Sequence, residues 1–202
     1  MMIEHLGDTA DFWKGGMIED LESSGLLSDL AVDQMIADDA EWQSSTYALY
    51  QKLLRIKKSQ VIVHKKSFQR NRIDYWKEIT HRGDIFFDPN VGIMTSAARP
   101  REYYLFPVEI KDAVNFNSDR VVLVYQHACR RLLRQRIADI FHRISGQVPL
   151  ISCCSYEAGN AAMIYFSRSK LRIKEIYDYH TKSSITSKSQ SRSQILLNEI
   201  AI

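Results

Sequence analysis

Residues 83–112 read GDIFFDPNVGIMTSAARPREYYLFPVEIKD, and the fold turns on how this stretch is read. It holds two short apolar runs, 85–87 and 103–110, whose ends carry acids and whose connection contains Gly, Pro and Arg. Short apolar runs bounded by turn residues predict strands. If 103–111 is extended, the side-chain period of two puts Glu109 and Lys111 on one face and Phe106, Val108 and Ile110 on the other. One face can then pack while the other presents a carboxylate and an ammonium.

Upstream, residues 8–24 carry Phe12, Trp13, Met17 and Leu21 at helical spacing, with Asp8 or Thr9 as cap and Gly25 as stop. Residues 26–37 and 40–57 are read as two further helices, the latter with Trp42, Tyr47, Tyr50, Leu53 and Leu54 as its buried stripe. The β-branched residues 61–63 predict a strand leading into the basic loop His64, Lys65, Lys66, followed by a short amphipathic helix over 68–80.

Downstream, 121–125 is a strand or the start of a helix. Residues 126–144 read as a helix with an apolar stripe of Cys129, Leu133, Ile137, Ile140 and Ile144. Arg130, Arg131, Arg134 and Arg136 crowd its first half. Residues 150–156 and 161–166 predict a hairpin around Gly159, and 171–179 a last helix. The polar, low-complexity TKSSITSKSQSRSQ that follows cannot bury enough surface to order itself, so 181–202 is expected to be a disordered tail.

At 202 residues and 45% hydrophobic content the chain suits one soluble domain, in three parts: an acidic helical segment (1–58), a mixed α/β core (59–180) and the tail. No apolar run reaches the roughly 18 residues of a membrane span and the start lacks a secretory pattern, so a cytoplasmic protein is expected. Three cysteines make no disulfide framework. The adjacent Cys153 and Cys154 read as packing residues on opposite faces of a strand.

The net charge of +3 hides an asymmetry. Residues 1–50 carry eleven acids against the single base Lys14, and the remainder carries thirteen acids against twenty-six bases. A basic body attracts phosphates. The acidic front either neutralises that body or competes with a polyanion for one surface.

No Gly-rich phosphate loop, nucleophile elbow or HExxH motif is present. What remains is an acid, Asp84 or Asp88, then a loop, then Glu109-Ile110-Lys111. In that order of elements over about residues 60–156 the chain resembles the PD-(D/E)xK nuclease superfamily. There, an acid on one strand and an ExK triplet on the next bind a divalent metal and activate water. The resemblance implies a restriction-endonuclease-like core, Mg²⁺ or Mn²⁺ held by Asp84 or Asp88 with Glu109, and Lys111 beside the attacking water. It also implies an acid from an early helix, Glu78 or Glu41, to complete the site. Pro89 follows Asp88 instead of preceding it, so the first ligand stays open between the two aspartates. Arg130, Arg131, Arg134, Lys65 and Lys66 are the expected nucleic-acid contacts.

The expected fold is therefore α+β or α/β, an acidic helical front followed by a mixed central sheet flanked by helices. The expected function is metal-dependent phosphodiester cleavage, or nucleic-acid binding by a degenerate relative. The alternative is a non-catalytic interaction or regulatory protein that meets protein partners through the acidic front and the apolar tail.

Overall fold

β-Branched and aromatic residues in this chain concentrate in runs too short for helices, and these runs build the sheet. In the computed structural model, residues 6–36, 43–64, 72–95, 103–128, 132–182 and 192–196 are described. The strands are β1 (Ala31–Asp33), β2 (Ile85–Phe87), β3 (Gly92–Ile93), β4 (Tyr104–Leu105), β5 (Val122–His127), β6 (Ser152–Ala158), β7 (Ala161–Ser167) and β8 (Arg192–Leu196). The helices are α1 (Thr9–Ser23), α2 (Ser44–Leu54), α3 (Arg72–Lys77), α4 (Pro107–Asn115), α5 (Leu133–Gln147) and α6 (Lys170–Lys182).

Six strands form one mixed sheet in the order β1-β2-β5-β7-β6-β8, with β3 and β4 a separate parallel pair. β1, β2 and β5 run parallel, while β7, β6 and β8 join by antiparallel pairings. Outside β1, Val61 makes a single parallel bridge to Val32. Helices cover both faces, which makes this an α+β fold with a flanked mixed sheet.

Alternation along the strands separates two cores. Ile85, Phe87, Val122, Val124, Ile164 and Phe166 pack with residues of α3, α4 and α5. Phe86, Leu123, Tyr125, Met163 and Tyr165 pack with residues of α1, α2 and α6. Cys153 and Cys154 fall one in each core as free buried thiols, and burial pushes both above the ordinary thiol range.

Four expectations are corrected. The helix expected over 26–37 gives way to β1, because Leu30, Ala31, Val32 and Asp33 are buried on both faces and such a run has no helical polar side. The strand expected over 103–110 is extended only at β4. Pro107 then takes the first helical turn, where its missing N–H costs nothing, and Glu109 accepts from the Phe106 N–H at 2.7 Å to start α4. The helix expected from 126 begins at Leu133, since Gln126 and His127 complete β5. The expected disordered tail contains β8, which pairs with β6 from Cys153 to Glu157. Residues 183–191 and 197–202 lie outside the described residues.

α1, which carries Asp11, Glu19, Asp20 and Glu22, and α2, which carries no acid, sit on the sheet face opposite α5. They therefore do not cover α5.

Candidate functional site

In open sheets with parallel strands, ligands bind outside the carboxyl ends of those strands, where neighbouring connections leave in opposite directions. Here the chain leaves β1 toward Val61 on its outer side and leaves β2 toward β5 on the other. The carboxyl ends at this switch point carry Asp33, the Asp88-Pro89-Asn90 turn and His127.

The turn after β2 is rigidly strapped. The Asp88 N–H donates to the Asp33 carbonyl at 2.9 Å. The Gln126 side chain accepts from Ile93 N–H at 2.8 Å and donates to the carbonyls of Val91 and His127 at 3.2 and 2.7 Å. Gly92 adopts φ +117°, and a Cβ there would collide with the Gln126 amide, so only glycine lets the strap close.

Asp88 ends in a buried charge cluster. The Lys14 ammonium of α1 donates to both of its oxygens at 2.9 and 2.8 Å and pairs with Asp11 at 2.6 Å. Tyr50 of α2 donates to Asp88 at 3.1 Å, and the ammonium lies 4.7 Å from the centre of the Tyr125 ring. Burial alone would lower the Lys14 pKa, but the Asp88 and Asp11 charges and hydrogen bonds outweigh it and hold the amine above the ordinary lysine range. Burial pushes the Asp88 carboxyl up, with Lys14 pulling the other way. Lys14 is thus a fixed cation, protonated at neutral pH, and not a general base.

A second network adjoins it at the end of β1. Asp33 accepts from the Tyr75 hydroxyl and from Met35 N–H, and meets His64 Nε2 at 3.2 Å. The other ring nitrogen of His64 lies 3.3 Å from Glu78, and the ring stacks on Tyr75 with centroids 3.6 Å apart. Burial opposes the His64 charge, yet the two carboxylates raise its pKa above the ordinary value.

Between the Asp88 turn and the start of α1 opens a cavity of about 280 Å³, bordered by Asp8, Asp11, Lys14, Asp88, Asn90, Tyr125 and His127. Three carboxylates stand on this wall against one lysine, with Lys14 committed to Asp11 and Asp88 and Asp8 capping α1. His127 is held below the ordinary histidine value by burial and by the Arg136 charge, so it is neutral at neutral pH.

The expected site residues do not converge here. Asp84 and Asp88 flank opposite ends of β2, roughly 13 Å apart at the rise of a strand. Asp84 accepts from Ser28 and Val121 N–H groups, each at 2.8 Å, and from Arg172 at 3.0 Å, tying the amino edge of the sheet. Glu109 stands on α4, not on a strand, and is engaged by Arg72, by Trp76 Nε1 at 2.6 Å and by its own helix start. Lys111 is exposed on α4. Asp84 and Asp88 stand at opposite ends of β2 and Glu109 is held by Arg72 and Trp76, and among the described residues no group of three or more His, Cys, Asp or Glu is placed to hold a metal ion. Glu78 meets His64 instead, and Glu41 lies outside the described residues. Arg134 is exposed on α5, while Lys65, Lys66, Arg130 and Arg131 lie outside the described residues.

Lys14, Asp11, Asp33, Tyr50, Tyr75 and His64 were not legible as site residues from the motifs. One signal was available: Asp11 and Lys14 fall on the same helical stripe as Ile18 and Leu21, so a charged pair occupies an inward face.

The fold and site define an α+β protein with a buried polar network at the carboxyl edge of its parallel strands. No family model and no curated protein matches the chain. Among solved structures it is similar to the crystal structure of protein LPL1258 from Legionella pneumophila str. Philadelphia 1, family model DUF519. The identity is 12% and the TM-score 0.43, over 96% of this chain and 98% of that one.

Proposed function

We propose that the protein binds a compact, hydrogen-bond-donating ligand in the cavity beside the Asp88-Pro89-Asn90 turn. The observation that carries this reading is an acceptor-rich cavity of about 280 Å³ at the carboxyl end of β2 and β5, on a turn strapped from three sides. Its size, at the lower limit of the roughly 300–1,000 Å³ usual for ligand sites, suits a small molecule or one group of a larger one. Asp8, Asp11 and Asp88 against one lysine repel phosphate and favour an amine, amidine or amino-substituted ring.

Calorimetry and thermal shift with a panel of amines, amino acids, nucleosides and inorganic phosphate test this. Donor-bearing neutral or cationic ligands are expected to stabilise the protein by about 2.7 kcal/mol at a hundredfold excess over Kd. Asn90→Ala and His127→Ala are expected to lose the response. A response confined to phosphate and other anions, or one unchanged in both variants, refutes the proposal.

A second reading, contact of a polyanion with the outer side of α5, is supported by Arg134 and Arg143 being exposed on a helix that α1 and α2 leave uncovered. Reversing both charges should then weaken binding of a duplex oligonucleotide and flatten its salt dependence.

A further inference from the structure

α1 carries two adjacent glycines, and only one is required by the fold. A Cβ on Gly15 would collide with the Leu53 carbonyl oxygen of α2, so that glycine permits the close approach of the two helices. Gly16 has no atom within 4 Å of where its Cβ would stand. A glycine inside a helix costs stability, and nothing in the fold offsets that cost here.

Gly16 instead opens the floor of a groove of about 580 Å³ along the outer side of α1. Phe12, Gly16, Asp20 and Ser23 recur at helical spacing along α1, and Tyr156 and Arg55 complete the lining. Trp13 and Tyr156 lie nearly parallel at its base, with centroids 6.4 Å apart and planes 14° apart. Phe12 is 56% exposed on the rim, and Met17 supplies a deformable apolar surface. Aromatic floors of this kind anchor protein partners. The rim carries two carboxylates, Glu19 and Asp20, against the one cation Arg55, which pairs with Glu19 and leaves the groove with a net negative charge. Residues 1–50, which include α1, carry eleven acids against one base.

We propose that this groove docks a basic segment of a partner protein, with an apolar or aromatic side chain seated over Gly16 and lysine or arginine on the acidic rim. The groove shares no residue with the cavity beside Asp88, so either proposal can fail alone.

A random-peptide display library panned on the full chain, and in parallel on Gly16→Leu, tests it. Leucine fills the groove and favours the helix, so the variant should melt no lower than the wild type, which separates blocked docking from misfolding. The wild type is expected to enrich peptides with Leu, Phe or Trp beside Lys or Arg. Synthetic versions should bind Gly16→Leu and Phe12→Ser about tenfold more weakly or worse. No enrichment over the Gly16→Leu bait, enrichment of acidic peptides, or undiminished affinity in Gly16→Leu overturns the proposal. Self-association of the wild type abolished by Gly16→Leu assigns the groove to a second copy and overturns it as well.

Discussion

Replacing Lys14 by methionine removes one ammonium while keeping most of its volume, and the cluster around it sets the size of the effect. Lys14 and both carboxylates are at most 3% exposed, and its contacts run from 2.6 to 2.9 Å. At an effective dielectric of 20, one such contact is worth about 6 kcal/mol of gross attraction, most of it offset by desolvation. Removing only the cation leaves two buried carboxylates facing each other, with a net expected loss of about 3–5 kcal/mol at neutral pH. Adding Asp88→Asn removes the stranded charge, so the double variant should recover part of the loss, with a coupling energy of about 2–3 kcal/mol. Without Lys14, burial raises the Asp88 carboxyl further, so the native state holds a proton that the unfolded chain releases. Stability of Lys14→Met should therefore fall as pH rises from acid to neutral, making the loss smallest in acid. Urea denaturation of the four proteins of the cycle, across that pH range, measures all of this. A loss below about 1 kcal/mol, or a coupling energy near zero, would show that the ammonium does not neutralise the cluster.

Glu109→Ala should destabilise by about 1–3 kcal/mol in denaturant titration, since it strands Arg72, Trp76 Nε1 and the Phe106 N–H together, and Mg²⁺ or Mn²⁺ should leave the wild-type melting temperature unchanged. His64, with its folded pKa raised above 6.5, contributes stability that is fully present below that value and is lost as pH rises through the folded one. His64→Gln should therefore flatten the stability profile between about pH 5 and 8, read by chemical denaturation at each pH. Gly15→Ala should lower the melting temperature through collision with the Leu53 carbonyl, whereas Gly16→Ala, entering open space, should raise it, together a shift of opposite sign at neighbouring positions.

What the sequence disclosed followed the strength of the local pattern. The α2 and α5 helices and the β6–β7 hairpin stood out because their periodicity runs for several turns or strand pairs. β1 did not, because three residues buried on both faces have no periodicity to read. The stretch 103–110 misled for a different reason: alternation across two extended residues continued by accident into a helix that Pro107 starts. Of the candidate site, Asp88 was singled out on its merits as an acid at a strand end, but its partner was sought in the ExK triplet. The ion that Asp88 meets is an ammonium from α1, 74 residues upstream, and pairing across such a separation leaves no local trace in either segment.

β6 acquires its outer neighbour only from residues 192–196, some forty positions after its own first residue. On the ribosome, the hairpin it makes with β7 emerges well before that neighbour does. Through that interval the edge of β6 that β8 later covers, from Cys153 to Glu157, is open to any passing strand. Shortening the chain ahead of residue 192 would make the interval permanent, turning a transient hazard of synthesis into a lasting tendency to self-associate.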